Sequence, residues 1–446
     1  LNFGQKMSEK ILVIAEKPSV ANDIAKALGG MTREKDYYEG EHYVVSSAVG
    51  HLLELAVPEK YDVKRGKWTF THLPMLPPSF DLKPIKKTED RLKTLKRLLK
   101  RSDITGVINA CDAGREGELI FRYIIQASKC KKPIERLWLQ SMTPSAIRDA
   151  FAHLRSDAEM QNLADAARSR SEADWLVGIN GTRAMTAFNS KDGGFFLTTV
   201  GRVQTPTLAI VMEREEKINA FVSRPYWEVH AKVQCEAGQY DAVWFDPVFK
   251  KNEEDPHQKA ERIWSKEDAQ RICKLIEGQT ASVKQSAKRT TQLSPLLFDL
   301  TSLQREANNR FGFSAKTTLA LAQALYEKHK ALTYPRTDAR ALPEDYLGTV
   351  NNTLDMLKES SRYMKSVGEI QKHKWVKPSK RIFDNSKISD HFAIIPTLQA
   401  PKKLTEAEEK IYDLVVKRFL AVFFPAAEYD VTTRITTVAG QNLKTE

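Results

Sequence analysis

Two copies of one short pattern, an apolar strand followed by a polar turn and a helix, constrain the fold of this chain most strongly. The first copy begins with the apolar run Ile11-Leu-Val-Ile14, and helically spaced apolar residues follow Pro18-Ser19 as far as Gly29-Gly30. The second copy begins near Ile104, turns through Asp112-Ala-Gly-Arg115 and continues as a helix. The repeated pattern predicts a parallel α/β sheet with its site at the carboxyl ends of the strands.

The rest of the chain predicts further domains, since 446 residues are too many for one ordinary core and favour two to four. Residues 155–220 have a helical pattern, and the alternation over 226–244 predicts a pair of half-buried strands. Residues 298–330 have the spacing of a helix-turn-helix unit, although plain helical packing explains that spacing equally well. We expect a helix over 406–424 and a strand over 429–438.

The charge balance permits a polyanionic partner but does not require one. Lysine and arginine exceed aspartate and glutamate by 69 to 57, a formal net charge of +12. The basic stretch 86–103 has interleaved leucines, which predict an amphipathic helix with a solvated face; DNA contact is the alternative. The four cysteines form no CxxC pair, so we expect no zinc ribbon among them. No apolar run approaches the roughly 18 residues of a membrane span, so no membrane partner is expected.

Three acidic residues follow the two predicted strands: Glu16 after the first, and Asp112 and Glu116 after the second. If the strands are neighbours, these carboxylates converge, and clustered carboxylates are usually stabilised by a hard cation such as Mg²⁺. Capping of the following helices explains the same spacing equally well. Lys17, beside Glu16, could stabilise phosphate charge or donate a proton to a leaving oxygen.

Four groups of residues follow one another in a distinctive order along residues 10–400. They are Glu16-Lys-Pro-Ser19 with Asp112-Ala-Gly-Arg-Glu-Gly-Glu118, Gly201-Arg-Val-Gln-Thr-Pro-Thr-Leu208, Leu332-Thr-Tyr-Pro-Arg-Thr-Asp338 and Asp390-His-Phe-Ala-Ile-Ile-Pro-Thr397. In this order they resemble the motifs of the type IA DNA topoisomerases, with the closest likeness to bacterial topoisomerase III. The first group resembles the Toprim domain of that family, and the third resembles the segment of its active-site tyrosine.

The resemblance implies that Tyr334 attacks a DNA phosphodiester and forms a 5′-phosphotyrosine link with a free 3′-hydroxyl. Because the link conserves the bond, rejoining would need no ATP. Further roles follow from the same resemblance. Arg336 and His391 would contact the phosphate. Lys17 would protonate the departing 3′-oxygen, and Glu16 would position Lys17. The expected ligands of Mg²⁺ are Glu16, Asp112 and Glu116, and the residues expected to bind the DNA strand are Arg202, Gln204 and Arg183.

The implied fold is a multidomain α/β protein with toroidal architecture. Its expected parts are an extension or cloning scar (1–6), a Rossmann-like Toprim catalytic domain (7–150), the first part of a helical DNA-binding domain (151–220), the first part of a β-rich arch (221–290), a helical active-site tyrosine domain (291–400) and a truncated return to the arch (401–446).

The implied activity is ATP-independent relaxation of negative supercoils and decatenation by strand passage. The expected substrate is single-stranded or underwound DNA in the bacterial cytoplasm, at the nucleoid. We expect a monomer, with a helicase as a candidate partner. The alternatives are a Toprim nuclease and a truncated DNA-binding protein without strand passage.

Three features depart from the pattern of the family. Gly114 stands where the second Asp of Asp-x-Asp-x-Glu is common, so Mg²⁺ would bind through water or less tightly. Phe392 stands where a second histidine is usual. The chain stops at Glu446, inside the expected arch, which makes cleavage a firmer expectation than complete strand passage.

Overall fold

The computed structural model describes residues 9–59 and 68–446, so the predicted extension at 1–6 lies outside the described residues. The described chain forms two compact units. The first comprises the described residues up to Ile210 together with Pro295–Phe423, and the second comprises Val211–Ser294 and Phe424–Glu446.

Strands and helices are numbered here in chain order. The strands are β1 (Lys10–Ala15), β2 (Thr32–Arg33), β3 (Tyr37–Glu39), β4 (Tyr43–Ser47), β5 (Leu53–Leu55), β6 (Leu82–Pro84), β7 (Ile104–Ala110), β8 (Ile134–Arg136), β9 (Arg155–Ser156), β10 (His230–Cys235), β11 (Gly238–Trp244), β12 (Ser282–Gln292), β13 (Ala427–Val438) and β14 (Gln441–Thr445). The α-helices are α1 (Pro18–Leu28), α2 (Glu89–Leu99), α3 (Arg115–Ser128), α4 (Pro144–Ala152), α5 (Asp157–Asn189), α6 (Gln204–Asn219), α7 (Lys266–Ile276), α8 (Leu300–Phe311), α9 (Ala315–Glu327), α10 (Leu347–Lys358), α11 (Ser361–Lys372) and α12 (Glu406–Ala421). Short 3₁₀ turns occupy Phe70–His72, Lys86–Thr88, Glu344–Tyr346 and Asn385–Lys387. Within the described ranges, no helix combines the length and apolar character needed to cross a membrane.

A seven-stranded sheet in the order β2-β3-β4-β1-β7-β8-β9 dominates the first part of the first unit. Strand β1 lies inside the sheet and pairs in parallel with β4 and β7, and β7 pairs in parallel with β8. Antiparallel pairs complete both edges. The predicted adjacency of the two strand–turn–helix units is confirmed, because Ala15 and Ala110 are paired at the ends of β1 and β7.

Helices cover both faces of this sheet, which explains why β1 is a continuous apolar run rather than an alternating one. Leu12 and Ile14 are buried in one core with residues of α2 and α3. Val13 and Ala15 are buried in the opposite core with residues of α1 and α4. In the basic stretch 86–103, all four leucines of α2 are buried, so the predicted amphipathic helix is confirmed.

The second part of the first unit is helical and contains the predicted nucleophile. Helices α8 and α9 are joined near Gly312, whose φ of 68° is the left-handed conformation that suits glycine at a helix end. Beyond α9 the chain is extended, and Leu332 forms a β-bridge with Pro396. The motif segments 332–338 and 390–397 therefore lie side by side.

The second unit contains a five-stranded antiparallel sheet in the order β10-β11-β14-β13-β12. Helix α7 packs against it through Ile276, which contacts the core formed by Ala242, Val438 and Leu443. The predicted strand pair over 226–244 is confirmed as the hairpin of β10 and β11.

Burial of Phe121 should contribute strongly to the stability of the first unit, because its side chain is completely buried between the sheet and its helices. We predict that Phe121→Ala lowers the free energy of unfolding by about 3–5 kcal/mol. Phe70→Ala is the control, because Phe70 is 57% exposed and its loss should cost about 0.5 kcal/mol or less. Chemical denaturation of both variants measures the difference, and equal losses would contradict this description of the core.

Candidate active site

Residues from two neighbouring strands meet at the carboxyl edge of the sheet. Because β1 ends at Ala15 and β7 ends at Ala110, the residues that follow them emerge side by side. Lys17 Nζ lies 2.5 Å from Asp112 Oδ2 and 3.8 Å from Glu16 Oε1. Of the three carboxylates predicted to converge, those of Glu16 and Asp112 therefore lie on either side of the Lys17 ammonium group.

Tyr334 lies directly against this group. The centre of its ring is 4.6 Å from Lys17 Nζ and 4.3 Å from the centre of the His391 ring. His391 Nε2 is in turn 3.4 Å from Asp112 Oδ2. The ring of Tyr326, in the last turn of α9, contacts Tyr334 edge-on at 5.3 Å. These five side chains line one cleft of about 630 Å³.

Hydrogen bonds between the sheet edge and the tyrosine-bearing part fix this arrangement. Gln140 Nε2 donates to the carbonyl oxygen of Ile388 at 2.8 Å. The hydroxyls of Ser141 and Thr143 donate to Asp345 Oδ2 at 3.0 and 2.8 Å. Residues far apart in sequence are thereby held at a common cleft.

Charge interactions hold Asp112 ionised and Lys17 protonated. Burial opposes ionisation of Asp112, but a hydrogen bond from His391 and the charge of Lys17 outweigh it and lower the pKa of Asp112 to about 2. Burial also disfavours the charged form of Lys17, yet its contacts with Asp112 raise the pKa of its ammonium group. Glu16 behaves differently, because burial and repulsion by Asp112 raise the pKa of its carboxyl.

The carboxylates of Glu16 and Asp112 suit a hard divalent cation. Glu16 Oε2 is buried and has no hydrogen-bond partner among the described residues, and a bound cation would satisfy such an oxygen. The carboxylate of Glu116 is not directed to this pair; it contacts Arg170 and lies 3.3 Å from His51 Nε2. In the described part of the chain, no three His, Cys, Asp or Glu side chains are already grouped as metal ligands.

Comparison with known proteins identifies the family. A family model for DNA topoisomerase matches residues 158–446, which is more than half of the chain, and a Toprim domain model matches residues 11–142. The chain belongs to the DNA topoisomerase family. The resemblance to type IA topoisomerases close to topoisomerase III is thereby confirmed.

Curated relatives and a solved structure extend this family likeness. DNA topoisomerase 3 of Bacillus cereus is 44% identical over 442 residues, and DNA topoisomerase 3 of Bacillus subtilis is 42% identical over 438. Each alignment covers 97% of this chain, and the chain spans 57% of the length of each relative. Full-length topoisomerase I from Thermotoga maritima matches 97% of this chain and 64% of its own, with a TM-score of 0.60 and 22% identity, which shows a shared fold.

The DNA-contacting residues expected of a topoisomerase lie in contrasting surroundings. Arg202 is half-exposed and its Nε lies 2.6 Å from Asp174 Oδ1. Gln204 is exposed at the first residue of α6. Arg183 is buried in α5, with its guanidinium 5.2 Å from the centre of the Trp68 ring. In this conformation its side chain is not exposed for contact with DNA.

Two other motif positions flank the topoisomerase cleft. Arg336 is exposed, two residues beyond Tyr334, and does not line the cleft as placed. Phe392, the residue found where a histidine is usual, lines the cleft and packs on the ring of Tyr346 at 4.7 Å. Phe392 therefore supplies apolar packing beside His391.

Arg136 is a supporting residue that sequence reasoning missed. Its side chain is 1% exposed and donates hydrogen bonds to the carbonyl oxygens of Asn109, Cys111 and Asp112 at 3.0, 2.7 and 2.7 Å. Its Nε also lies 3.7 Å from the fully buried Glu118. The guanidinium thereby holds the loop that presents Asp112, and the only signal in the sequence is an arginine next to an apolar strand end.

Removal of the Arg136 guanidinium should destabilise the first unit and loosen the Asp112 loop. Arg136→Met would leave the carbonyl oxygens of Asn109, Cys111 and Asp112 without this donor, and each buried acceptor left unpaired costs about 1–3 kcal/mol. Glu118 would keep its ion pair with Arg122. Arg97→Met is the control, because Arg97 is exposed on α2 and its loss should cost about 0.5 kcal/mol or less. Chemical denaturation of both variants checks this, and similar stabilities would contradict the assigned role.

The raised pKa of Glu16 predicts a stability that depends on pH. Because the folded state holds the Glu16 proton more tightly than the unfolded chain, this contribution is full below the ordinary value of 4.5 and is lost as pH rises through the raised pKa. Glu16→Gln should therefore be more stable than wild type at pH 7.5 in EDTA, with a smaller gain at pH 4. Thermal unfolding measures both, with the exposed Glu135→Gln as control. An equal gain at the two pH values would contradict the prediction.

Proposed function

We propose that this chain is the cleavage and rejoining part of a type IA topoisomerase of the topoisomerase III kind. It would cut one DNA strand through Tyr334, allow another strand to pass and reseal the break, relaxing negative supercoils and decatenating DNA without ATP. The decisive observation is that the Tyr334 ring lies within 4.6 Å of both the Lys17 ammonium group and the His391 ring, with both of those side chains on Asp112.

The chemistry is a reversible transesterification. The phenolic oxygen of Tyr334 loses its proton to water and bonds to phosphorus, while the bond from phosphorus to the 3′-oxygen breaks. Lys17 gives its proton to the departing 3′-oxygen, a role supported by its place beside the Tyr334 ring. His391 contacts the phosphate, and Arg336 contacts it once DNA is bound. Resealing reverses each step, so the link itself conserves the bond.

Two carboxylates, Glu16 and Asp112, hold Mg²⁺ in this proposal, and Glu116 joins them if it leaves Arg170. When bound, the cation supplies positive charge near the phosphate and supports resealing. Glu16 also positions Lys17, which its carboxylate approaches at 3.8 Å.

Recognition of DNA rests on phosphate contacts in the same proposal. Arg202 and Gln204 bind the single strand, and Arg183 joins them only if it leaves its buried place beside Trp68. The proposed parts are the Toprim domain (7–150), helical DNA-binding domain (151–220), arch (221–290) and tyrosine domain (291–400). The expected return to the arch (401–446) begins only at Phe424, because the residues up to Phe423 belong to the first compact unit. The protein works as a monomer on underwound DNA in the bacterial cytoplasm, at the nucleoid, with a helicase as partner.

A covalent adduct tests the proposal directly. Incubation with labelled single-stranded DNA, followed by a denaturing gel, should show a protein–DNA adduct in wild type and none in Tyr334→Phe. Tyr326→Phe is the matched control, because Tyr326 lines the same cleft and should leave the adduct in place. In EDTA, cutting should persist while resealing slows.

The same gel separates the competing functions. Cleavage that survives Tyr334→Phe would contradict the proposal and favour a Toprim nuclease. Binding without cleavage would favour a DNA-binding protein that lacks strand passage. Relaxation and decatenation of plasmid substrates then test whether strand passage follows cleavage.

A further inference from the structure

Gly114 precedes α3 in a backbone conformation that does not call for glycine. Its φ and ψ are −167° and −177°, which is extended backbone that any residue adopts. A side chain would meet an obstacle of another kind, since a Cβ at this position would lie 2.3 and 2.5 Å from the two carboxylate oxygens of Asp390, and that carboxylate would have to move. The place of a side chain at 114 is taken by a carboxylate from the tyrosine-bearing part of the chain.

Gly117, one turn further along, provides an instructive contrast. A Cβ there would lie 2.2 Å from the carbonyl oxygen of Asp112 and 2.8 Å from its nitrogen. Gly117 is thus required by the backbone of its own loop, whereas the three atoms nearest to a Cβ at Gly114 all belong to the side chain of Asp390. When Asp390 is removed, we therefore expect a side chain to be tolerated at position 114 but not at position 117.

The surroundings of Asp390 connect it with the catalytic edge. It immediately precedes His391, which contacts Asp112, and it lines the same cleft as Tyr334. Burial and repulsion by Asp112 and Asp338 raise the pKa of its carboxyl. Its carboxylate also lies at the amino end of α3, where backbone N–H groups favour negative charge.

We propose that Asp390 supplies, from the tyrosine-bearing part, the carboxylate that the loop 112–116 lacks at position 114. There it acts together with Glu16 and Asp112 on the divalent cation. This inference rests on the proposed function and adds a consequence to it. Because Asp390 belongs to the other side of the cleft, its carboxylate can reach the cation only when Tyr334 is docked at the sheet edge. In the cation-free chain the three described carboxylates are not yet grouped as ligands, and they would close on the cation as it binds. Cation binding and docking of the nucleophile therefore favour one another reciprocally.

Titration of the DNA-free chain with Mn²⁺, followed by electron paramagnetic resonance, tests the inference without any catalytic readout. Asp390→Asn preserves the shape of the side chain and removes its charge, so the dissociation constant for Mn²⁺ should rise about tenfold. Gly114→Ala should have a similar effect by displacing the carboxylate. Wild-type affinity in Asp390→Asn would overturn the proposal.

Transfer of the carboxylate provides the sharper test. The double variant Gly114→Asp with Asp390→Gly returns one carboxylate to the same place and should bind Mn²⁺ more tightly than Asp390→Gly alone. No gain over Asp390→Gly would overturn the proposal. Circular dichroism confirms that each variant is folded before titration.

Stability measurements supply a matched control with the two glycines. The loss caused by Gly114→Ala should disappear in the Asp390→Gly background, whereas the loss caused by Gly117→Ala should persist there. Persistence of both losses would contradict the steric basis of the proposal. Failure of the proposed function is recognised separately, because wild type would then form no adduct at Tyr334, whatever the Mn²⁺ affinities are.

Discussion

The contact between Lys17 and Asp112 is the interaction on which the cleft depends. It exists because β1 and β7 are parallel neighbours that end at the same edge, so residues 95 positions apart in sequence meet at 2.5 Å. Asp112 keeps Lys17 protonated and also receives His391. Tyr334 then packs against both Lys17 and His391. The negative charge of Asp112 therefore attracts both Lys17 and His391 beside the tyrosine ring.

The local sequence pattern predicted the two strands of the site and the edge of the sheet at which they end. The apolar runs of β1 and β7 predicted two buried strands, and polar residues directly after them marked the edge where a site forms. Tyr334 was different, since a tyrosine in an extended loop has no distinguishing pattern of its own. Its assignment came from the order of several motifs, and its contact with Lys17 could be seen only in the folded chain.

Tertiary contacts decided what the sequence left open. Arg136 is an ordinary residue in the sequence, but burial beside three carbonyl groups makes it the support of the Asp112 loop. Glu116 has the expected spacing for a metal ligand, yet the guanidinium of Arg170 attracts its carboxylate elsewhere. Gly114 looked like a missing acid, and the folded chain brings Asp390 to that place from 276 residues away. Spacing along one segment cannot report a partner supplied by another.

Mass spectrometry of the trapped adduct tests the central claim most directly. After denaturation, digestion with nuclease and then protease leaves a short nucleotide on whichever side chain attacked the DNA. The account predicts that the nucleotide is attached to Tyr334 through a 5′-phosphate. A nucleotide on the neighbouring Tyr326, a 3′-phosphate link, or unmodified tyrosines in a chain that still cuts DNA would contradict it.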